Sequence, residues 1–210
     1  MRTYVYIDAF NLYYGCLKGS KCKWLDLAAF CRASLPTNQI LQIRYFTALV
    51  SARPNDPHQP IRQQTYLRAV RTFPDISIHL GHYLETKVRM KVVNPPASGA
   101  DKVLVYKTEE KGSDVNLASY LLMDGFENLY DAAVVVSNDS DLAEPINLVR
   151  KRLNKRVVVL LPCAGNRRPS VQLQKVAAKS WKVDLGLLAS CQLPRDITDD
   201  YGTISKPASW

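Results

Sequence analysis

Residues 132–141 read AAVVVSNDSD, and the rest of the fold can be worked out from this stretch. Five consecutive small or β-branched apolar residues are followed at once by polar and acidic ones, which is the pattern of a strand buried on both faces of a parallel sheet. Residues 4–7 (YVYI), which Asp8 follows directly, and residues 157–161 (VVVLL) have the same pattern. Two further strands are predicted, one within residues 40–50 and one that begins with residues 76–80.

Apolar residues at helical spacing fill the intervals between these strands. They predict helices over residues 25–33, 60–73, 115–126, 142–153 and 169–178. Strands that alternate with helices in this way favour a layered α/β fold with right-handed crossover connections.

Residues 81–107 interrupt the alternation. They favour strands, and a Pro-rich turn lies at residues 94–99, so we expect an inserted antiparallel hairpin arm that carries basic residues. We expect a single domain over residues 1–190, followed by an extended C-terminal tail over residues 191–210 that either wraps the surface or is mobile.

The composition of the 210 residues is that of a globular protein, with 47% hydrophobic and 22% charged residues. No apolar run approaches the roughly 20 residues that span a bilayer, and the first residues lack the features of a signal peptide, so we expect no membrane segment. The five cysteines are odd in number and form no Cys-x-x-Cys pair, which favours neither a disulfide framework nor a zinc ribbon. The predicted location is therefore the reducing cytoplasm.

The positive charge is concentrated in one part of the chain. The formal net charge is +9, and residues 142–182 carry ten basic residues against one acidic residue, so this stretch accounts for the whole excess. Such a concentration suits a polyanion such as RNA or DNA, although a solvated helix face is the alternative. A second basic set consists of Arg62, Arg68, Arg71, Lys87, Arg89 and Lys91.

Acidic residues follow the predicted strand ends. Asp8 comes directly after the first strand, and Asp139 and Asp141 come after the strand at residues 132–136. Asp114 begins the helix that leads into that same strand, so it is expected at the same edge of the sheet. Ligands of open α/β sheets bind at the carboxyl ends of the strands, and we therefore expect these four carboxylates to meet there.

The position of Asp114 within its helix strengthens this expectation. Apolar residues at i+3, i+4, i+7 and i+8, beginning with Leu117, place Asp114 on the face that packs against the sheet. Carboxylates that converge there repel one another unless a cation lies between them, and oxygen ligands suit Mg²⁺ or Mn²⁺. The alternative is that Asp114, Asp139 and Asp141 only cap the helices that begin near them.

Three motifs resemble the NYN domain family of LabA type, within the PIN-like nuclease superfamily. They are Tyr6-Ile7-Asp8-x-x-Asn11-Leu12, Glu110-Lys111-Gly112-x-Asp114-Val115-x-Leu117-Ala118 and Val136-Ser137-x-Asp139-Ser140-Asp141-Leu142, and they occur in the family's order. The likeness runs from residue 4 to about residue 161 and extends into the C-terminal tail. Asn138 stands where many relatives carry glycine.

The resemblance implies a PIN-like three-layer sandwich, a mainly parallel twisted sheet with helices on both faces. It also implies cleavage of RNA with Mg²⁺ or Mn²⁺. Asp8, Asp114 and Asp139 would bind the metal, with Asp141 as a fourth ligand or a partner of one. Asn11 and Ser137 would orient the water or the scissile phosphate.

The basic residues would hold RNA, single-stranded or structured, by its phosphates. The candidates are Lys87, Arg89, Lys91, Lys111, Arg150, Arg167 and Arg168. Tyr13 and Tyr14 either stack an unpaired base or belong to the core.

Two other functions are considered beside a metal-dependent ribonuclease. A non-catalytic module that binds RNA or protein is compatible with the same fold. A phosphomonoesterase is disfavoured because its first strand would end in Asp-x-Asp, where this chain has Asp8-Ala9-Phe10. The protein partner and the oligomeric state are open, with a homodimer as one alternative.

Overall fold

The buried apolar runs form the central strands of one seven-stranded sheet. In the computed structural model, which describes residues 1–95 and 99–210, the spatial order of the strands is β4-β3-β2-β1-β5-β6-β7. All neighbours are parallel except β3 and β4, so the predicted α/β class is confirmed. The strands are β1 (Arg2–Asp8), β2 (Gln39–Ala48), β3 (Ile76–Lys91), β4 (Lys102–Lys111), β5 (Ala132–Val136), β6 (Arg156–Leu161) and β7 (Lys179–Lys182).

Helices connect the parallel strands, and the five that are predicted are found within a few residues of their expected bounds. The helices are α1 (Ala9–Leu12), which continues into a π-helical turn (Tyr13–Leu17), α2 (Leu27–Ser34), α3 (Gln59–Val70), α4 (Ser113–Phe126), α5 (Ala143–Arg152), α6 (Val171–Val176) and α7 (Leu185–Ser190). A 3₁₀ turn, Ser140–Leu142, precedes α5. No helix in the described part of the chain is long and apolar enough to cross a membrane.

Alternating side chains of the central strands supply two hydrophobic cores. Val134 and Val136 of β5 lie in one core, together with residues of α2 and α3. Ala133 and Val135 of the same strand lie in the other, together with residues of α4 and α5. A strand that is apolar at every position can bury both faces, so the sheet becomes the middle of three layers.

The predicted hairpin arm is present, but it is not a separate insertion. The first part of β3 pairs with β2 in parallel, up to the pair of Ala48 with Gly81. The strand then runs on without interruption and pairs with β4 in antiparallel fashion from His82 to Lys91. Of the predicted turn at residues 94–99, residues 96–98 lie outside the described residues.

The C-terminal tail packs against the body of the protein. Its residues form an antiparallel hairpin of β8 (Asp196–Asp199) and β9 (Gly202–Ser205), with Ile204 buried in the core. The ring of Trp210 lies 6.3 Å from that of Trp24 and 5.9 Å from that of Tyr66. These residues thus form a hairpin rather than only an extended segment, and the aromatic ring of Trp210 packs near the core.

A buried ion pair attaches α4 to the sheet. Asp124 of α4 accepts hydrogen bonds from Arg44 of β2 at 2.7 and 2.8 Å and from the hydroxyl of Tyr6 at 2.7 Å. Both partners of the ion pair are largely shielded from solvent. The helix that carries Asp114 is thus fixed to two strands by one carboxylate.

Candidate metal centre

The carboxyl ends of β1 and β5 lie side by side because these strands are parallel neighbours. Asp8 is the last residue of β1, and Ser137 and Asp139 follow the end of β5. Asp114 lies in the first turn of α4. The predicted candidates therefore reach one edge of the sheet from three elements.

Two glycines and a glutamate bring the start of α4 to this edge. Gly112 adopts a φ of +96°, which favours glycine, and it turns the chain from β4 into the helix. Glu110 accepts hydrogen bonds from the backbone N–H of Ser113 at 3.1 Å and from its hydroxyl at 2.7 Å. A Cβ atom on Gly81 would lie 2.5 Å from Oε1 of Glu110, so only glycine leaves room for this approach. Sequence reasoning did not identify Gly81 or the capping role of Glu110.

Asp8 is buried, with 3% of its surface exposed, and hydrogen bonds orient its carboxylate. Oδ1 accepts the backbone N–H of Asn11 at 2.9 Å, and Oδ2 accepts the side-chain amide of Asn11 at 2.6 Å. Oδ2 also accepts the hydroxyl of Ser137 at 2.9 Å. Burial raises the pKa of Asp8, and these three hydrogen bonds oppose that rise because they favour the charged form.

Asn11 and Ser137 connect Asp8 to the segment after β5. The hydroxyl of Ser137 accepts the backbone N–H of Asp139 at 3.0 Å, and Oδ1 of Asn11 accepts that of Asn138 at 3.3 Å. Both residues therefore contact the acidic cluster, and the expected role in orienting a water or the scissile phosphate stays a prediction. They hold Asp8 and position Asp139.

Asp114 experiences the negative charge of the whole cluster. Burial, followed by the carboxylates of Asp8, Asp139, Glu110 and Asp141, raises the pKa of Asp114 to about 7. The capping alternative also holds in part, because Asp139 accepts the backbone N–H of Asp141 at 3.0 Å at the start of the 3₁₀ turn. Capping occupies one oxygen of Asp139 and explains neither the burial of Asp8 nor the charge around Asp114.

The chemistry of the cluster suits a hard divalent cation, but the side chains do not enclose one. Within residues 1–95 and 99–210, no group of three or more His, Cys, Asp and Glu side chains is arranged to hold a metal ion. Mg²⁺ typically binds through one or two carboxylates and keeps several waters, which matches a wider cluster of oxygen ligands. A cation there would also relieve the repulsion that raises the pKa of Asp114.

The side chain of Asn138 makes contacts that a glycine at this position would lack. Its side-chain amide donates to the carbonyl oxygen of Arg168 at 3.0 Å, and its Oδ1 accepts the backbone N–H of Ser170 at 2.7 Å. The exposed side chains of Arg167 and Arg168 are therefore carried by a loop that is tied beside Asp139.

The other basic candidates differ in their accessibility. Arg150 is half-buried and donates to the carbonyl oxygen of Val176 at the end of α6, so its guanidinium has a structural contact. Lys111 is exposed and lies 3.7 Å from Glu109. Lys87, Arg89 and Lys91 are all exposed and lie on the hairpin arm, with Lys91 at its outer end.

The fold and the acidic edge define a PIN-like α/β domain. The family model of the NYN domain matches residues 2–184, and the chain belongs to this family, which is of nuclease type. The LabA subtype stays a prediction.

The chain is also similar to two individual proteins. The chain is 37% identical over 242 aligned residues to 6-hydroxy-3-succinoylpyridine 3-monooxygenase HspA of Pseudomonas putida, with 100% of this chain and 75% of that protein covered. A solved structure of a protein of unknown function from Vibrio parahaemolyticus is similar with a TM-score of 0.56 at 17% identity. The match covers 87% of this chain and 93% of the other, and it supports the fold.

Proposed function

We propose that the protein is a ribonuclease that depends on Mg²⁺ or Mn²⁺ and hydrolyses RNA phosphodiester bonds at the acidic edge of the sheet. The observation that carries the proposal is the convergence of Asp8, Asp114 and Asp139 from β1, α4 and the end of β5. Membership of a nuclease-type family supports the same reaction. The proposed site of action is the cytoplasm, and a homodimer stays a prediction.

Asp8, Asp114 and Asp139 would hold the metal, either directly or through bound waters, and Asp141 would serve as a fourth ligand or as a partner of one. When bound, a divalent cation lowers the pKa of a water and neutralises charge on the phosphoryl oxygens. Asn11 and Ser137 orient Asp8 and favour its charged form through the hydrogen bonds described above. No nucleophilic side chain of the protein is required for this reaction.

RNA would be held mainly by its phosphates. Arg167 and Arg168 lie on the loop that Asn138 ties beside the cluster, and Lys87, Arg89, Lys91 and Lys111 lie along β3 and β4. Contacts of this kind give binding that weakens steeply with salt and reads little sequence.

The test is cleavage of a fluorescently labelled single-stranded RNA by the purified protein with Mn²⁺, with Mg²⁺ and with EDTA. We expect cleavage with either metal, none with EDTA, and loss of at least about a hundredfold in rate for Asp139→Asn and Asp114→Asn. Asp200→Asn is the matched control, because this aspartate is exposed on the C-terminal hairpin and far along the chain from the motifs. RNA that stays intact at enzyme excess but still binds would favour the non-catalytic binding module.

A second candidate function comes from the similarity to the monooxygenase HspA. The alignment at 37% identity, which covers all of this chain and 75% of that protein, favours oxygenation of a small hydroxylated heteroaromatic ring. A monooxygenase transfers one atom of dioxygen to its organic substrate and reduces the other atom to water, which takes two electrons from a reductant such as reduced nicotinamide and two protons. Consumption of 6-hydroxy-3-succinoylpyridine with coupled uptake of dioxygen and reduced nicotinamide would support it, and stable substrate under these conditions would exclude it.

A further inference from the structure

A cavity of about 350 Å³ lies next to the acidic edge and is not used by the proposed reaction. Ala9 and Phe10, which directly follow Asp8, form part of its wall. The opposite parts come from β2, from α3 and from the C-terminal residue Trp210. Its size lies at the low end of ligand pockets, which suits one ring system with a small substituent.

Aromatic side chains dominate the lining. The ring centroids of Tyr13 and Tyr14 lie 5.2 Å apart, with 80° between the ring planes. The ring centroids of Tyr66 and Trp210 lie 5.9 Å apart, with 59° between the planes. The ring centroid of Tyr45 lies 6.4 Å from that of Tyr66, and Tyr45 is the last member of this aromatic group. Rings at these separations interact through faces and edges, and they offer the same contacts to a planar aromatic guest.

The hydroxyl of Tyr45 is the second feature that points to a ligand. Only 8% of the residue is exposed, and the residue lines the cavity. Within the described ranges its hydroxyl makes no hydrogen bond to the protein and is not closed off from solvent, so this polar group is free to bind a molecule in the cavity. A ring nitrogen or oxygen of a guest would supply a hydrogen-bond partner.

The charge of the lining selects an anion. Of the described residues that form the cavity, Lys23 and Arg62 are cations and Asp56 is an acid. Arg62 is paired with Asp56, so the charge of Lys23 is left in excess. An anionic substituent on the ring would be attracted to this end of the cavity.

We infer that this cavity binds a planar heteroaromatic ring that carries an anionic group, with the ring among the tyrosines and Trp210 and the anion near Lys23. Two sources share this chemistry: a nucleotide of an RNA strand that lies along the acidic edge, and a free aromatic acid. The inference does not depend on the proposed nuclease reaction, since binding requires neither cleavage nor a metal ion.

Calorimetric titration of the full chain in EDTA tests this inference. The probes are uridine 5′-monophosphate, a single-stranded RNA pentanucleotide and nicotinate, with uncharged nicotinamide for comparison. Binding of the nucleotide and the pentanucleotide in preference to nicotinate identifies RNA as the source. Binding of nicotinate in preference identifies a free acid.

Two variants and a control decide whether this cavity is responsible. Tyr45→Phe keeps the ring and removes the hydroxyl, and we expect it to weaken binding up to about tenfold. Lys23→Met is expected to weaken the binding of the anionic probes and to leave the binding of nicotinamide unchanged. Lys179→Met, at an exposed position on β7, is the control and is expected to leave the binding of all probes unchanged. The inference is overturned if no probe binds at millimolar concentration, or if both cavity variants bind as the wild type does while circular dichroism shows them folded.

Discussion

Replacement of Asp114 by asparagine is expected to stabilise the protein when divalent ions are absent. The carboxyl group of Asp114 has its pKa raised from 3.8 to about 7, first by burial and then by the neighbouring carboxylates. Ionisation of this group therefore opposes folding at neutral and alkaline pH. The asparagine side chain would keep the shape of the carboxylate without its charge, so this opposition would disappear.

The magnitude follows from the change in pKa. At about 1.4 kcal/mol for each pKa unit, the full cost of ionising Asp114 in the folded protein is roughly 4 kcal/mol. The group is only half-buried, and solvent screening reduces this to about 2 kcal/mol. Loss of a negative charge from the first turn of α4 costs about 0.3–1 kcal/mol in the opposite direction. We therefore expect a net gain of about 1 to 2 kcal/mol in the free energy of unfolding at pH 8.

The raised pKa of Asp114 also determines how the stability difference between the two proteins changes with pH. The penalty is absent below the unfolded-state pKa of 3.8, grows as the pH rises, and is complete above about 7. Urea unfolding followed by circular dichroism in EDTA at pH 5 and pH 8 should thus give a larger advantage for Asp114→Asn at pH 8. Equal stability of the two proteins at pH 8, or a larger advantage at pH 5, would show that burial and the neighbouring carboxylates do not disfavour the charged form of Asp114 as inferred. The control Asp200→Asn should match the wild type at both values.

Three further predictions concern the elements that position the site. Asp124→Asn should lower the free energy of unfolding by about 3 kcal/mol or more in a urea titration, because it leaves the largely buried Arg44 without its ion-pair partner. Asp131→Asn is the control, because it breaks an ion pair with Arg2 that is exposed to solvent, and it should cost no more than about 1 kcal/mol. Gly81→Ala should destabilise by about 1–3 kcal/mol and reduce RNA cleavage, since its methyl group collides with the start of α4; unchanged stability and activity would contradict this. Asn138→Gly should speed tryptic cleavage after Arg167 by releasing its loop, and an unchanged rate measured by mass spectrometry would show that the side-chain contacts do not restrain it.

The central layer of the fold could be predicted because its signals are local. The run of residues 132–136 is apolar at every position, and it becomes a strand buried on both faces. The placement of Asp114 also followed from local spacing, since Leu117 and Leu121 below it are fully buried. The topology then required the strand ends to share an edge.

Features that depend on contacts distant along the chain could not be predicted. The hairpin of residues 196–205 contains strand-forming residues such as Ile197 and Ile204, but a short two-stranded hairpin is marginally stable alone. It is held by packing against α3 and by the ion pair of Arg68 with Asp199. Charge counting placed Arg150 with the RNA-binding residues, but only the structure shows its bond to the carbonyl oxygen of Val176. The aromatic cavity joins Tyr13 to Trp210, which no local pattern connects.

Binding of Mn²⁺ to the folded protein, followed by electron paramagnetic resonance, would establish whether the acidic edge holds a metal ion. We expect at least one bound ion for the wild type and for Asp200→Asn, with affinity reduced tenfold or more, about 1.4 kcal/mol, in Asp139→Asn and Asp114→Asn. A wild-type protein that leaves Mn²⁺ free in solution, or one that binds it equally well without these carboxylates, would contradict a metal centre at the acidic edge.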